Sequence, residues 1–145
     1  MTGSVSVVGL GPGSSDMVTP EVSRVISEAS DLVGYANYIS RIKPDPNVTI
    51  HASDNRKELD RAIKAFELAQ SGKRVVLVSS GDPGVFAMAS ALMEALDHGD
   101  KKWKNIKISI FPGVTAMLAA AARIGAPLGH DFCAINLSDN LKPWD

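Results

Sequence analysis

The sequence predicts a mostly parallel, doubly wound α/β sheet with flanking helices, and three observations carry that prediction. Short apolar, β-branched runs alternate with helix-length amphipathic segments along the whole chain. The run Val75-Val76-Leu77-Val78 is continuously apolar, as in a strand covered on both faces. Three strand candidates end directly in turns rich in glycine and proline, at the edge where open parallel sheets hold their ligands.

The elements follow in order. Val5 to Val8 is a β-branched run that stops at Gly9. Thr19-Pro20-Glu21 reads as N-cap, first helical position and acidic first turn, opening a helix to about Ala29. Asp31 to Tyr35 is a second strand, Asn37 to Pro46 one helical turn and a loop, and Val48 to His51 a weak strand. Ser53 is placed to cap a helix that runs to about Ser71 and stops at Gly72. On it, Leu59, Ala62, Ile63, Phe66 and Ala69 recur at helical spacing and form one apolar face. Arg74 to Ser79 is the buried strand. A helix from about Gly84 to Asp97, a strand from Ile106 to Phe111 and an Ala-rich helix from about Thr115 to Ile124 come next. Gly125-Ala126-Pro127-Leu128-Gly129 reads as a linker, and Phe132 to Leu137 as a last strand.

Composition narrows the function classes. The 145 residues are 45% hydrophobic and 21% charged, with 15 basic against 16 acidic side chains, which is the balance of an ordinary globular protein. At about 150 residues per domain, the length predicts one domain and part of a second at most. A net charge of −1 excludes nucleic-acid binding through bulk positive charge. The longest apolar run, Ala116 to Ala122, falls far short of the ~20 residues of a membrane-spanning helix. No secretory signal is visible, so a cytoplasmic protein is expected. The single cysteine, Cys133, excludes an intrachain disulfide and, inside the run Phe132 to Ile135, is expected to be a small core residue. His51, His98 and His130 lack ligand spacing, so no metal site is expected. His98 sits at a helix end where the dipole favours it, and His130 reads as structural.

The chemistry gathers in the three turns: Gly9-Leu10-Gly11-Pro12-Gly13, Ser80-Gly81-Asp82-Pro83-Gly84 and Pro112-Gly113-Val114-Thr115. Each follows a strand directly, so together they predict a shared ligand cleft. The first departs from the dinucleotide fingerprint: no glycine stands at the sixth position, and the next helix opens too late to meet a pyrophosphate. It is not a Walker loop either, since no Gly-Lys-Ser/Thr follows. Asp82 can cap the following helix, accept hydrogen bonds from a polar ligand or balance a cationic one. Thr115 can cap its helix or present its hydroxyl to the cleft. No Gly-x-Ser-x-Gly elbow is present. The residues thus predict a domain that binds an organic cofactor and leaves the hard chemistry to it.

Taken together, Gly9 to Gly13, Ser80-Gly81-Asp82-Pro83-Gly84-Val85-Phe86 and Phe111-Pro112-Gly113-Val114-Thr115-Ala116 resemble the motifs of the S-adenosylmethionine-dependent tetrapyrrole methylases. Within that family, the stretches Val33 to Ile39, Asp54 to Ala62, Gly84 to Ala89 and Gly125 to Asp139 are most similar to the precorrin-3B C17-methyltransferases. The resemblance spans the whole chain. It implies a two-domain homodimer that binds S-adenosyl-L-methionine between its domains and releases S-adenosyl-L-homocysteine. The matching cofactor contacts are Pro12, Ser80, Gly81, Asp82, Val85, Thr115 and Ala116. It further implies methylation of C17 of precorrin-3B, or of cobalt-precorrin-3, with ring contraction, in cobalamin biosynthesis. Some relatives carry an aspartate after the tyrosine of the second strand; here that position is Ala36, and no catalytic residue is assigned. A carboxylate-rich tetrapyrrole calls for local cations, and Arg24, Arg41, Arg56 and Arg61 are candidates, each equally readable as solvated surface. On this reading residues 1–128 are the N-terminal domain, and 129–145 a linker and the first strand of a truncated second domain. The alternatives are a non-catalytic cofactor- or tetrapyrrole-binding module, another precorrin methyltransferase, and a dinucleotide-binding oxidoreductase domain.

Overall fold

The computed structural model describes residues 2–137. Five strands, β1 (Ser4–Gly9), β2 (Asp31–Tyr35), β3 (Thr49–Ser53), β4 (Arg74–Ser79) and β5 (Lys107–Phe111), form one sheet in the order β3-β2-β4-β1-β5. Every pair is parallel. The helices are α1 (Pro20–Ser27), α2 (Ala36–Ile39), α3 (Glu58–Gln70), α4 (Met88–His98) and α5 (Ala116–Arg123).

Strand alternation splits the core in two. Val5, Val7, Val33, Val75 and Leu77 point to one face, where α3 and α4 cover them with Ala62, Ala65, Phe66, Ala69, Leu92 and Ala95. Trp103 closes that layer, its ring stacked on Phe66 at 4.9 Å and its Nε1–H donated to Gln70 Oε1. Val8, Leu10, Leu32, Val76 and Val78 point to the other face, against Val22, Ala29 and Ile39. The central strand β4 therefore buries both of its faces, which is why its sequence shows no polar alternation.

The topology fixes where a ligand can sit. From β1 the chain crosses by α1, on one face, to β2; from β4 it crosses by α4, on the other face, to β5. The adjacent strands β1 and β4 thus send their connections in opposite directions. That divergence opens a crevice at their carboxyl ends.

Several sequence expectations need correction. Ser53 does not cap α3: it ends β3, paired with Tyr35, and α3 begins only at Glu58 behind Lys57. The buried arc of α3 is rotated from the expected face. Leu59 is 44% exposed, whereas Arg61 is 5% exposed. Helix α4 begins at Met88 rather than Gly84, because Phe86 takes a positive φ of 51° that no α-helix accommodates. Asp82 is consequently not its cap. Phe132 to Leu137 form no strand, since no described strand lies beside them to supply a ladder, and Cys133 is exposed rather than buried. A strand needs a hydrogen-bonded neighbour, and an apolar run alone does not provide one. The remainder of the expected second-domain segment, residues 138–145, lies outside the described residues.

Candidate active site at the carboxyl edge of the sheet

The first two turns are stitched together by backbone. Gly11 N–H donates to Gly81 O at 3.1 Å, and Gly81 N–H returns a bond to Gly11 O at 2.9 Å. This is an antiparallel bridge between segments that leave parallel strands. Gly81 reaches it with a φ of +57°, a conformation that favours glycine. Gly9 is required for a different reason: a Cβ there would lie 2.4 Å from Gly81 O.

Asp82 joins the second turn to the third. Its Oδ1 accepts from Gly84 N–H at 2.8 Å and its Oδ2 from Gly113 N–H at 3.0 Å. Arg41 secures the first turn, with Nη2 within 3.3 Å of the carbonyl oxygens of Leu10, Gly11 and Gly13. That employment makes Arg41 a clamp on the turn. Arg24, on α1, is exposed and pairs at 3.7 Å with Glu21.

Above the second turn and the start of α5 opens a cavity of about 930 Å³. A site for a small molecule or cofactor falls at about 300–1,000 Å³. Ser80, Gly81, Asp82, Val85, Thr115 and Ala116 all line it. Pro12 lines instead a smaller adjoining recess of about 280 Å³, which shares Ala116 with the large one. Thr115 occupies the N-cap position of α5, yet its side chain makes no capping bond. Its hydroxyl is therefore not committed to the helix. A Cβ on Gly81 would project to within 3.7 Å of Thr115 Cα, into the space between the second and third turns.

The opposite wall comes from residues that motif reading did not place together. Tyr35, at the end of β2, accepts a hydrogen bond from Asn37 Nδ2 at 2.7 Å and meets Tyr38 edge-on at 5.1 Å. Both rings line the cavity, as do Glu58, Leu59 and Arg61 of α3 and Glu94 of α4. Arg61 Nη1 donates to Ser53 Oγ at 3.0 Å and to Asp54 O at 2.8 Å, while Nη2 lies 3.6 Å from Glu58 Oε1. Burial pulls the pKa of Arg61 down, and the Glu58 carboxylate pushes against that. Of the four candidate cations, Arg61 is the one that lines the cavity; it lies one turn before Ala65 and two before Ala69, both buried, on the inward side of α3.

Away from the site, at the start of β2, buried Asp31 accepts from Ser30 Oγ and lies 2.8 Å from His51 Nε2. Burial pushes its carboxyl up, but the bonds from His51 and Ser30 outweigh that and leave its pKa below the ordinary 3.8. Among the described residues, no group of three His, Cys, Asp or Glu could hold a metal ion, and no helix is long and apolar enough to cross a membrane.

Comparison with known proteins places this geometry. The chain is 57% identical over 145 residues to a precorrin-3B C(17)-methyltransferase of a Sinorhizobium species, covering all of this chain and 57% of that protein. It is 40% identical over 141 residues to a probable cobalt-factor III C(17)-methyltransferase of Salmonella typhimurium, covering 97% of this chain and 57% of the relative. The crystal structure of the methyltransferase CobJ superposes with a TM-score of 0.92 at 63% identity, over 98% of this chain and 59% of that one. The chain thus spans somewhat more than half the length of these relatives. The model of the tetrapyrrole (corrin/porphyrin) methylases matches residues 4–145. With the three turns joined at the crevice between β1 and β4 and the match running through all of them, the chain belongs to the tetrapyrrole methylase family.

Proposed function

We propose that this chain is the cofactor-binding half of an S-adenosylmethionine-dependent methyltransferase acting at C17 of precorrin-3B or its cobalt-bearing counterpart, with ring contraction, in cobalamin biosynthesis. The observation that carries the reading is the convergence of Ser80, Gly81, Asp82, Val85, Thr115 and Ala116 on one cavity at the topological switch point. The relatives of matching sequence are C17-methyltransferases, which supports the position methylated.

The residues present fit such a cofactor. Its amino-acid and ribose groups need hydrogen-bonding partners, which the hydroxyls of Ser80 and Thr115 can supply, while Gly81, lacking a side chain, lets the ligand approach the turn. Its base needs apolar surface, which Val85, Met88 and Ala116 offer. The carboxylates of Glu58, Asp82 and Glu94 can offset the positive charge of a sulfonium, while Arg61 is the one lining cation among the described residues. When bound, the sulfonium supplies an activated methyl group that an electron-rich macrocycle carbon can accept directly. The protein's share is then positioning: the turns fix the backbone, and the Tyr35–Tyr38 wall gives a flat macrocycle an aromatic surface. Pro12 flanks the site from the adjoining recess.

We read residues 1–128 as the N-terminal domain and 129–145 as the lead into a second domain, in a homodimeric cytoplasmic enzyme. Exposed apolar side chains at Ile110, Leu118 and Ile124 support further burial against a domain or subunit. The exposed free thiol of Cys133 suits a reducing compartment. The test is calorimetry with S-adenosylhomocysteine, followed by methyl-transfer assays on precorrin-3B and its cobalt form, in this chain and in the protein at the length of its relatives. Binding with C17 methylation in the longer protein is expected. Binding of NAD without the homocysteine compound would overturn the reading, and cofactor binding without transfer would favour a binding module.

A further inference from the structure

We infer that Arg61 is the carboxylate anchor of the cavity, its Nε–Nη2 edge taking one carboxylate of an anionic macrocycle in exchange for Glu58. The inference rests on the reading that the cavity receives a tetrapyrrole. Arg61 is 5% exposed, lines the cavity and is the only cation doing so among the described residues. A guanidinium binds a carboxylate best through two parallel N–H bonds from one edge. In Arg61 the Nη1 donors are committed to Ser53 Oγ and Asp54 O, which fixes the plane of the group. The other edge is not committed. Nε is buried with no hydrogen-bond partner, and Nη2 meets Glu58 Oε1 only at 3.6 Å, beyond hydrogen-bond length.

A buried donor left unpaired is costly, so structures keep such groups paired unless a ligand completes them. The location agrees. Lys57 gives the N-terminus of α3 no side-chain cap, and Arg61 lies in the first turns of that helix, where its dipole favours a negative group. The other arginines do not compete: Arg41 is spent on carbonyl oxygens, and neither Arg24 nor Arg56 lines the cavity. Glu58 holds the place that the ligand carboxylate would take, so it swings aside toward solvent as the ligand seats.

The experiment uses the protein at the length of its relatives, titrated by fluorescence with uroporphyrin III and with its octamethyl ester, which keeps the macrocycle but carries no carboxylates. Arg61→Lys keeps the charge and loses the two-pronged edge. It is expected to weaken uroporphyrin binding about tenfold while leaving the ester and S-adenosylhomocysteine affinities unchanged. Glu58→Gln leaves Arg61 in place, so it tests the exchange even if the lysine variant folds poorly. It is expected to tighten uroporphyrin binding severalfold and to lose that effect in the Arg61→Lys background. Equal losses for acid and ester, or no tightening in Glu58→Gln, overturn the inference and leave the tetrapyrrole reading standing. Failure of the unmodified protein to bind uroporphyrin, with S-adenosylhomocysteine still bound, overturns both.

Discussion

Gly11 and Gly81 exchange a reciprocal pair of backbone hydrogen bonds, at 3.1 and 2.9 Å, and so lock together the turns that follow two neighbouring parallel strands. The bridge needs the positive φ of Gly81, and a side chain there would project toward Thr115 and Ala116. Gly81→Ala is expected to cost about 1–2 kcal/mol of stability from backbone strain. It should also weaken S-adenosylhomocysteine binding by more than that strain explains. Urea unfolding and calorimetry on the same variant separate the two effects. Unchanged affinity would remove Gly81 from the site.

Asp82 carries the second joint, accepting from the amides of Gly84 and Gly113 with one oxygen each. Asp82→Ala leaves both donors without that partner, for a loss of about 1–3 kcal/mol. Asp82→Asn turns an NH2 group toward one of the two amides, so it should behave closer to alanine than to aspartate. Cofactor affinity in both variants is expected to fall about tenfold or more. An asparagine variant with wild-type affinity would show that the second acceptor is dispensable.

Phe66 and Trp103, stacked at 4.9 Å, close the layer that holds α3 and α4 on the sheet. Phe66→Ala removes a fully buried ring and should destabilise by about 3–5 kcal/mol. Because α3 carries Glu58, Leu59 and Arg61 to the cavity, near-complete loss of ligand binding is expected to accompany partial unfolding. Thermal unfolding monitored by circular dichroism, with and without ligand, checks both.

Asp31 ties stability to pH. Its folded pKa lies below the ordinary 3.8, so its contribution is fully present above that value and is lost as pH falls through the folded pKa. Asp31→Asn should therefore lower stability at neutral pH and flatten the acid limb of the stability profile below about pH 4. Equilibrium unfolding of both proteins across pH 2–7 reads the difference. Parallel profiles would show that other carboxylates govern the acid limb.

Much of this was legible in the sequence because it is local. The apolar run Val75 to Val78 specifies a doubly covered strand, and Thr19-Pro20 specifies the start of α1, where Thr19 Oγ1 accepts from Val22 N–H. That the three turns after β1, β4 and β5 lie side by side could be read because parallel strands place their carboxyl ends together, although the first turn faces a smaller recess beside the main cavity. What misled was equally physical. Ser53 has the chemistry of a cap, but its pairing with Tyr35 outweighs local preference. Gly84 to Ala87 looks helical until Phe86 adopts a positive φ. Cys133 stands in an apolar run, but burial requires a surface to pack against, which the described residues around it do not supply.

The sequence by itself determined the fold class and the three turns, since each depends on short-range patterns of polarity and backbone freedom. Only the tertiary structure decided how those turns are joined and what faces them. The Gly11–Gly81 bridge, the reach of Asp82 to Gly113, and the wall of Tyr35, Tyr38 and Arg61 all bring distant parts of the chain together. Such contacts follow from strand order and helix rotation, which are set by the packing of the whole core and which no local pattern encodes.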